Sequence, residues 1–517
     1  MMARTRQLTL IVSVALRLFI EDPFSFLTKA HQRSLDTKLL PTKVIGWALE
    51  YVSAKNQTAI REHYEVGNYR AALDLASTMG DQLSRSDLRL VGLMKGELER
   101  LYSPIVDSPI EKAKLGGFNN KEVRPLFFLT NSLPHTQSGY TLRSHESLKA
   151  LKSLGLEASA ITRLGYPNVI GRLASGATEE FDGIVYSRAL PFYYPRLLSE
   201  RDDKSADFLV KEARRCGATI LHTTTDYKNA MVVSKAAEKL QVPWVYEVRG
   251  ELHKTWLSKR PTQLKDAAAN SDFYQGAAKK EIEAMKSASA VVALSEVAQR
   301  NIVDAGVPPE KIHVVPNAVD SGLFRKRFDR GLIRKQLHLP CGPIVGIVSS
   351  LVEYEGIDTL LCAIAREPGY VGLIVGDGVD RERLENLARE YEIEDRVIFA
   401  GKQPSTEVWR WYAALDVMVI PRRDEEVCRT VTPIKGLAAQ ALGVPLVVSD
   451  LPALREITGE KAFYARPDDV DDLLKQIRKG LEATDQHLGE AREWARTRTW
   501  KANAAKYMNI YDLILNA

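Results

Sequence analysis

The pattern of apolar and polar residues changes character near residue 125 of this chain of 517 residues. Before that point, apolar residues recur at helical spacing, as in Leu73, Ala76 and Met79. After it, short continuous apolar runs alternate with helical patterns, which is typical of parallel strands covered by helices on both faces. The pattern therefore predicts an N-terminal helical segment followed by an α/β protein.

The predicted strands form two successive series. The first series is PLFFLTN, EASAITR, ATILHTT, WVYEVRG, AVVALS and KIHVVPN. The second series is PIVGIVSS, GLIVGDG, RVIFAG, VMVIP and PLVVSD. Two doubly wound, Rossmann-like domains are therefore expected, with ligands at the carboxyl ends of the strands and in the cleft between the domains.

We place the domain boundaries in polar stretches of the chain. The predicted parts are a helical appendage (residues 1–115), an N-terminal Rossmann-like domain (122–320), a C-terminal Rossmann-like domain (321–495) and a closing helix (496–517). Within the appendage, HYEVGNYRAALDLAS resembles one helix-turn-helix unit of a tetratricopeptide repeat, with Gly67 at the turn. No second copy follows at a fixed period, so a solenoid is not expected.

Composition and charge exclude some classes of protein. The net charge of +5 is mild, and the Lys and Arg residues form no dense tracts, which argues against a nucleic-acid partner. The four cysteines lie far apart without a C-x-x-C pair, so neither a disulfide framework nor a zinc site is expected. This cysteine usage fits a cytoplasmic location.

The segment LTLIVSVALRLFI, residues 8–20, follows Arg4 and Arg6 and is too short to span a membrane. Arg17 interrupts it, and no small-residue cleavage site follows, unlike in a signal peptide. One interpretation is an amphipathic helix packed on the rest of the protein. The other is a helix lying in an anionic membrane surface, which would make the protein peripheral at the inner face of the plasma membrane.

The order of several motifs resembles the retaining glycosyltransferases of family 4. These motifs are VVALSE, GVPPEKIHVVPNAVDSGLF, PIVGIVSSLVEYEGIDTLL, LIVGDG, DRVIFAG and GVPLVVSD, and the forms YEVRG, YEG and TPIK indicate one branch of that family. The resemblance covers about residues 125–515. It implies the GT-B fold and the metal-free transfer of a sugar, with retention, from a nucleotide diphosphate sugar. No Asp-x-Asp motif stands in a plausible loop, so no metal site is expected.

The resemblance also implies that the second domain binds the nucleotide. Lys435 opens the helix that follows TPIK, so it is the first candidate for the diphosphate. Arg422 and Arg423 follow the VMVIP strand and supply further cations. The remaining candidate binding residues are Gly139, Asn317, Ser350, Glu355, Gly356, Gly376, Asp377, Gly378, Gly401, Thr432 and Ala438.

Several of these positions depart from the family pattern. The Arg and Lys that usually grip the diphosphate fall on Ser350 and Glu355, and a carboxylate there repels a diphosphate unless it points away. The glutamate that usually binds the ribose falls on Ala438, and an earlier loop glutamate falls near Arg429. Each lost charge-assisted hydrogen bond costs about 1.5–3 kcal/mol, which weakens donor binding without abolishing transfer. Asp424 and Gln440 are the nearby candidates for replacement acceptors.

In the first domain, Arg249 and Glu247 of YEVRG are the candidate catalytic residues. Arg249 would contact the phosphate or the acceptor, and Glu247 would orient it. A structural ion pair at the strand end is the alternative. His222 and His253 are weaker candidates, because a lone histidine more often has a structural role.

We therefore expect a glycosyltransferase of the hexosyltransferase type, with a UDP-sugar or GDP-sugar as donor and no cofactor. The acceptor would be a glycan or a lipid-linked molecule in the synthesis of a surface polysaccharide or glycolipid. The alternative is a catalytically degraded relative that binds or scaffolds a protein partner through the helical appendage. The complete motif order favours the enzyme, and the replaced glutamates favour the alternative.

Overall fold

The computed structural model describes residues 2–21, 26–27, 30, 58–107, 123–404 and 406–516. The chain divides into two compact units. The N-terminal unit comprises residues 1–292, 305–312 and 510–517, and the C-terminal unit comprises residues 293–304 and 313–509. The end of the chain therefore belongs to the N-terminal unit, whereas the sequence pattern treated residues 496–517 as one closing helix.

Helices begin the N-terminal unit. They are α1 (Met2–Glu21), α2 (Ala59–Val66), α3 (Tyr69–Met79) and α4 (Arg85–Tyr102). As predicted, Gly67 forms the turn between α2 and α3, with a φ of 89° that favours glycine. Ile60, Tyr69, Leu90 and Met94 are buried together and give these helices a small apolar core.

Buried ion pairs fix α4 to the rest of the N-terminal unit. Arg100 donates from Nε and Nη2 to the two carboxylate oxygens of Asp202, both at 2.8 Å. Its Nη1 reaches Glu97 at 3.0 Å, and Glu97 also pairs with Lys228 at 3.4 Å. Gly96 brings the helix close to Leu198, whose Cδ1 would lie 3.1 Å from an added Cβ. Helix α4 of the appendage is therefore anchored to the α/β part of this unit.

The first sheet contains eight strands in the order β3-β4-β2-β1-β5-β6-β7-β8. The strands are β1 (Pro125–Leu129), β2 (Ser159–Thr162), β3 (Thr178–Phe181), β4 (Ile184–Arg188), β5 (Ile220–Thr224), β6 (Trp244–Val248), β7 (Ala290–Ala293) and β8 (Ile312–Val314). Strands β4, β2, β1, β5 and β6 pair in parallel. Every residue of β1 is buried, which explains its continuous apolar sequence.

The antiparallel hairpin of β3 and β4 was not predicted from the sequence. Strand β3 reads TEEF, which lacks the apolar run used to find the other strands. Its turn has the Asp-Gly signature of a tight hairpin, with φ of 46° at Asp182 and 75° at Gly183. That dipeptide was the available signal.

Further helices of the N-terminal unit follow β1 along the chain. They are α5 (Gly139–Ser153), α6 (Leu198–Cys216), α7 (Tyr227–Leu240), α8 (Leu252–Ser258), α9 (Lys265–Ala269) and α10 (Asp272–Ser287). Side-chain caps begin two of them, α5 and α10. For example, Ser138 and Thr141 form a capping box at the start of α5.

The second sheet is parallel, with the order β11-β10-β9-β12-β13-β14. Its strands are β9 (Ile344–Val348), β10 (Val371–Val375), β11 (Val397–Gly401), β12 (Val417–Ile420), β13 (Leu446–Ser449) and β14 (Phe463–Ala465). The short β14 was not predicted. The strand order reverses between β9 and β12, and such a switch point is where doubly wound sheets bind ligands.

The remaining helices belong to or begin in the C-terminal unit. They are α11 (Glu296–Asp304), α12 (Arg330–Gln336), α13 (Ile357–Arg366), α14 (Arg381–Glu390), α15 (Val408–Ala414), α16 (Glu426–Thr430), α17 (Lys435–Leu442), α18 (Pro452–Thr458), α19 (Val470–Leu481), α20 (Asp485–Arg496) and α21 (Trp500–Asn516). The two α/β units confirm the fold class predicted from the sequence.

Helix α1 is apolar on two faces. Leu10 and Val14 are buried against the protein, whereas Leu8, Val12 and Leu16 are 50%, 62% and 57% exposed. Within the part of the chain that the structure describes, every helix is too short or too polar to span a bilayer.

Replacing Arg100 with Ala should destabilise the N-terminal unit. The substitution leaves Asp202 buried without its bidentate partner, which typically costs about 3–5 kcal/mol. We expect a clearly lower thermal unfolding midpoint by differential scanning calorimetry. Lys95→Ala changes an exposed lysine of the same helix and is the matched control. Equal midpoints for the two variants would contradict the role given to this ion pair.

Candidate functional site

A buried carboxylate binds two cations at the carboxyl end of the second sheet. Glu355 is 3% exposed and lies 2.8 Å from Lys435 Nζ and 3.0 Å from Arg422 Nη2. Lys435 also donates to the Ser349 hydroxyl, directly after β9. Arg422 follows β12, so the cluster lies at the switch point of the sheet. Two formal positive charges and one negative charge leave one positive charge for an anionic ligand.

The charges in this cluster depend on one another. Burial would raise the pKa of Glu355, but Arg422 and Lys435 outweigh it and lower that pKa to about 2. Burial lowers the pKa of Lys435 and Arg422 lowers it further, while Glu355 opposes both effects. Burial raises the pKa of the neighbouring Cys428 thiol to about 12, so this thiol is neutral near pH 7. Glu355 is the carboxylate that contacts Lys435 and raises its pKa against these two effects.

Gly356 allows the two loops of the cluster to meet. Its φ is 64°, and an added Cβ would lie 1.9 Å from the Pro421 carbonyl oxygen. The N–H of Arg423 donates to the Tyr354 carbonyl at 3.0 Å across the same contact. Because glycine has no Cβ, the segment after β12 lies close enough for Arg422 to reach the carboxylate.

Two further predicted glycines permit a close backbone contact. A Cβ at Gly376, where φ is 141°, would lie 1.7 Å from the Ser349 carbonyl oxygen. A Cβ at Gly378 would lie 2.1 Å from the carbonyl oxygen of Leu351. These glycines therefore shape the segment that carries Ser349. Their contact with a ligand stays a prediction.

The structure brings Asn317 and Thr432 together and leaves other candidates apart. Asn317 Nδ2 donates to the Thr432 carbonyl at 2.6 Å, and both side chains are buried. Ser350 is exposed, and Asp377 is exposed with its carboxylate 2.9 Å from the following N–H. The Gly401 carbonyl accepts from the glycine N–H at the end of β10 at 3.0 Å.

Ala438 lies in α17, 9% exposed, and packs in the apolar core of the C-terminal unit. The two candidate replacements for a ribose-binding carboxylate are Asp424 and Gln440. Arg429 binds both Asp424 oxygens at 2.5 and 2.7 Å, and Gln440 Nε2 donates to the carbonyls of residues 458 and 461. The buried Gln440 Oε1 has no hydrogen-bond partner among the described residues, and a role of either side chain at the ribose stays a prediction.

Arg423 was the other predicted cation after the VMVIP strand. Its guanidinium binds the Asp358 carboxylate and donates to the Glu353 carbonyl at 3.2 Å. It also lies 3.7 Å from Asp468, at the polar start of α19. These contacts indicate a structural role. Among the described residues, no group of three or more His, Cys, Asp or Glu side chains is arranged to hold a metal ion.

A second buried ion cluster lies at the end of β6 in the N-terminal unit. Glu247 is fully buried and accepts from Arg143 Nε and Arg249 Nη2, both at 2.7 Å. Arg249 Nη1 also donates to the Tyr140 carbonyl at 2.8 Å and to the Ser144 hydroxyl at 2.6 Å. The two catalytic candidates thus form the ion pair that was the structural alternative. Contact of either residue with a substrate stays a prediction.

Burial and hydrogen bonding also influence the protonation of the His222 ring. Its ring nitrogens lie 2.7 Å from the Tyr511 hydroxyl and 3.3 Å from Glu247. Burial lowers the pKa of His222, which favours the neutral ring at pH 7. Burial would raise the pKa of Glu247, but Arg249 and Arg143 outweigh it and hold that pKa well below its usual range.

Sequence reasoning missed three residues of these clusters. Ser349 adjoins the position that the family pattern assigned to Ser350, and its place directly after β9 was the available signal. Arg143 lies on α5 and Tyr511 on α21, far from Glu247 in sequence. No local motif indicated that either residue reaches the buried cluster. Gly139 begins α5, and a Cβ placed there would meet no described residue within 4 Å apart from its chain neighbours and its own helix backbone.

Two family profiles match the chain. "Glycosyl transferase 4-like domain" matches residues 138–318, and "Glycosyl transferases group 1" matches residues 329–498. The 2-deoxystreptamine glucosyltransferase of Streptomyces kanamyceticus is 27% identical over 226 residues, which are 41% of this chain and 57% of that protein. The chain thus spans little more than half the length of this relative.

Solved structures share the fold. Sucrose-phosphate synthase from Thermosynechococcus elongatus has a TM-score of 0.62 at 22% identity, over 75% of this chain and 98% of that one. Anabaena HepE in complex with UDP-glucose has a TM-score of 0.55 at 19% identity, over 74% and 99%. The chain therefore has the GT-B fold, with a glycosyl transferase 4-like domain followed by a glycosyl transferases group 1 domain.

Proposed function

We propose that this protein is a glycosyltransferase that uses a nucleotide diphosphate sugar as donor. The observation that carries the proposal is the cluster of Lys435, Arg422 and Glu355 at the switch point of the second sheet. Its excess positive charge suits the diphosphate, and Lys435 begins α17, where helix N–H groups also favour an anion. Both matching family profiles describe glycosyl transferases.

In the proposed reaction, the bond between the sugar anomeric carbon and the diphosphate oxygen breaks, and a glycosidic bond to an acceptor hydroxyl forms. The acceptor proton leaves with the diphosphate or passes to solvent. Lys435 and Arg422 stabilise the negative charge that develops on the leaving diphosphate. We propose retention of the anomeric configuration and transfer of a hexose, as the motif order implies.

For the donor, we propose a UDP-sugar first and a GDP-sugar second, since HepE binds UDP-glucose on the same fold. For the acceptor, we propose a glycan or a lipid-linked molecule of a surface polysaccharide or glycolipid. The N-terminal unit, which contains Arg249 and the Gly139 helix start, would bind it. The alternative function is a binding subunit that has lost its donor site. Titration with nucleotides distinguishes this alternative from the transferase.

Calorimetric titration of the purified protein with UDP and with GDP tests the donor site. We expect saturable binding of at least one nucleotide and a loss of about tenfold to a hundredfold in Lys435→Ala, because the variant removes a charge-assisted contact. Lys479→Ala, an exposed lysine of the same unit, should bind like the wild type. Binding of neither nucleotide at millimolar concentration would contradict the proposal and favour the binding subunit.

Restoring a carboxylate at position 438 tests where the ribose lies. We expect Ala438→Glu to tighten UDP binding about tenfold or more, since a carboxylate accepts from two ribose hydroxyls. Ala438→Leu adds similar bulk without an acceptor and is the control. Affinity unchanged in Ala438→Glu, with the fold retained, would place the ribose elsewhere.

We also propose that α1 holds the protein against an anionic membrane surface. Its outward stripe of Leu8, Val12, Leu16 and Phe19 is exposed, on the face opposite the buried Leu10 and Val14. The helix sequence contains three arginines and a single acidic residue, which complements anionic headgroups. A lipid-linked acceptor would then be presented at the same surface.

Vesicle flotation tests the membrane contact. We expect the protein to float with vesicles containing phosphatidylglycerol and less with phosphatidylcholine alone. Val12→Asp should reduce flotation strongly, because it places a charge in the apolar stripe. Ser13→Asp adds the same charge beside the stripe and should have a smaller effect. Equal flotation of both variants would contradict this proposal.

A further inference from the structure

We infer that Glu355 is a positioning residue that keeps Lys435 charged and oriented for the diphosphate, although a carboxylate near an anion site appears unfavourable. This inference rests on the proposed function. It concerns the same site and assigns a role to the position where the family pattern places a cation.

Geometry is the first support for this role. Lys435 Nζ lies 2.8 Å from Glu355, and the lysine side chain is 15% exposed. Arg422 contacts both oxygens of this carboxylate: Nη2 lies 3.0 Å from Oε1, the oxygen that Lys435 also contacts, and Nε lies 3.4 Å from Oε2. Arg422 is in turn fixed by the Val431 carbonyl at 2.8 Å. Lys435 is therefore oriented by a carboxylate that cannot move freely.

Charge is the second support. The groups that act on the Lys435 ammonium are Glu355, Arg422 and the neutral Cys428 thiol, with the Ser349 hydroxyl as hydrogen-bond partner. Around them, Tyr354 lies beneath Arg422, with the guanidinium 6.0 Å from its ring centre, and Glu425 acts on Cys428. Without Glu355, Lys435 would lose its carboxylate partner while Arg422 stays beside it. Both burial and Arg422 would then favour the neutral amine.

Distance determines whether the attraction of Glu355 for Lys435 outweighs its repulsion of a bound diphosphate. Coulomb energy falls with separation, so the carboxylate acts most strongly on the ammonium that it touches. A diphosphate bound to the exposed side of Lys435 lies farther from Glu355 than the ammonium does. Removing the carboxylate therefore weakens anion binding, because it neutralises the nearest cation.

The experiment measures UDP affinity of wild type and Glu355→Gln by calorimetry between about pH 7 and about pH 9, where the terminal phosphate is already ionised. In Glu355→Gln we expect weaker binding, and a loss approaching about tenfold per pH unit above the lowered pKa of Lys435. The wild type should lose less over this range. Tighter binding in Glu355→Gln, with no added pH dependence, would overturn the inference.

Two variants distinguish the loss of charge on Lys435 from structural damage caused by replacing Glu355. Glu355→Gln with Lys435→Arg carries a cation that stays protonated, so its pH profile should be flat again. A profile as steep as that of Glu355→Gln alone would overturn the inference. Should Glu355→Gln fail to fold, Glu355→Asp keeps the charge. Retained or weaker UDP binding without added pH dependence would support the inference, and a gain in affinity would overturn it.

A measurement without nucleotide distinguishes failure of this inference from failure of the proposed function. In Glu355→Gln, the unfolded state binds a proton on Lys435 that the folded state does not, so stability should rise with pH relative to wild type. We expect its thermal midpoint to approach that of wild type between about pH 7 and about pH 9. A constant difference would overturn the inference, whereas binding of neither UDP nor GDP by the wild type would overturn the proposed function.

Discussion

The contact between Glu355 and Lys435 is the interaction on which the second sheet's candidate site depends. Two cations buried side by side would repel each other and lose their hydration, and one carboxylate between them compensates both costs. The glycines around the cluster serve the same arrangement, because Gly356 lets the loop after β12 approach the carboxylate. After this pairing the cluster retains one positive charge, which would attract an anionic ligand.

The N-terminal unit contains a similar arrangement, in which one buried carboxylate pairs with two cations. Glu247 is buried between Arg143 and Arg249, again one carboxylate with two cations at the end of a strand. Arg249 Nε finds no hydrogen-bond partner among the residues described. Removing either carboxylate would leave two buried guanidinium or ammonium groups without compensation, so both glutamates have a structural role whatever ligand binds.

The fold was predictable where burial imposes a simple pattern. Strands such as β1 and β9 are covered on both faces, so their sequences are continuously apolar and stand out. The hairpin strand β3 is polar at the sheet edge, and only the Asp-Gly turn signalled it. The site was predictable as a set of strand ends and helix starts. Its pairings were not, because Glu355 meets Arg422 and Lys435 across 67 or more residues of chain.

An alanine at position 438, where the resemblance implies a glutamate, would lower the affinity for the donor without by itself abolishing transfer. The most direct measurement is a crystal structure of the protein grown with UDP. The account predicts the diphosphate within hydrogen-bond distance of Lys435 Nζ, with Glu355 still bound to Arg422. A diphosphate held elsewhere in the C-terminal unit, with Lys435 bound only to Glu355 and Ser349, would contradict it.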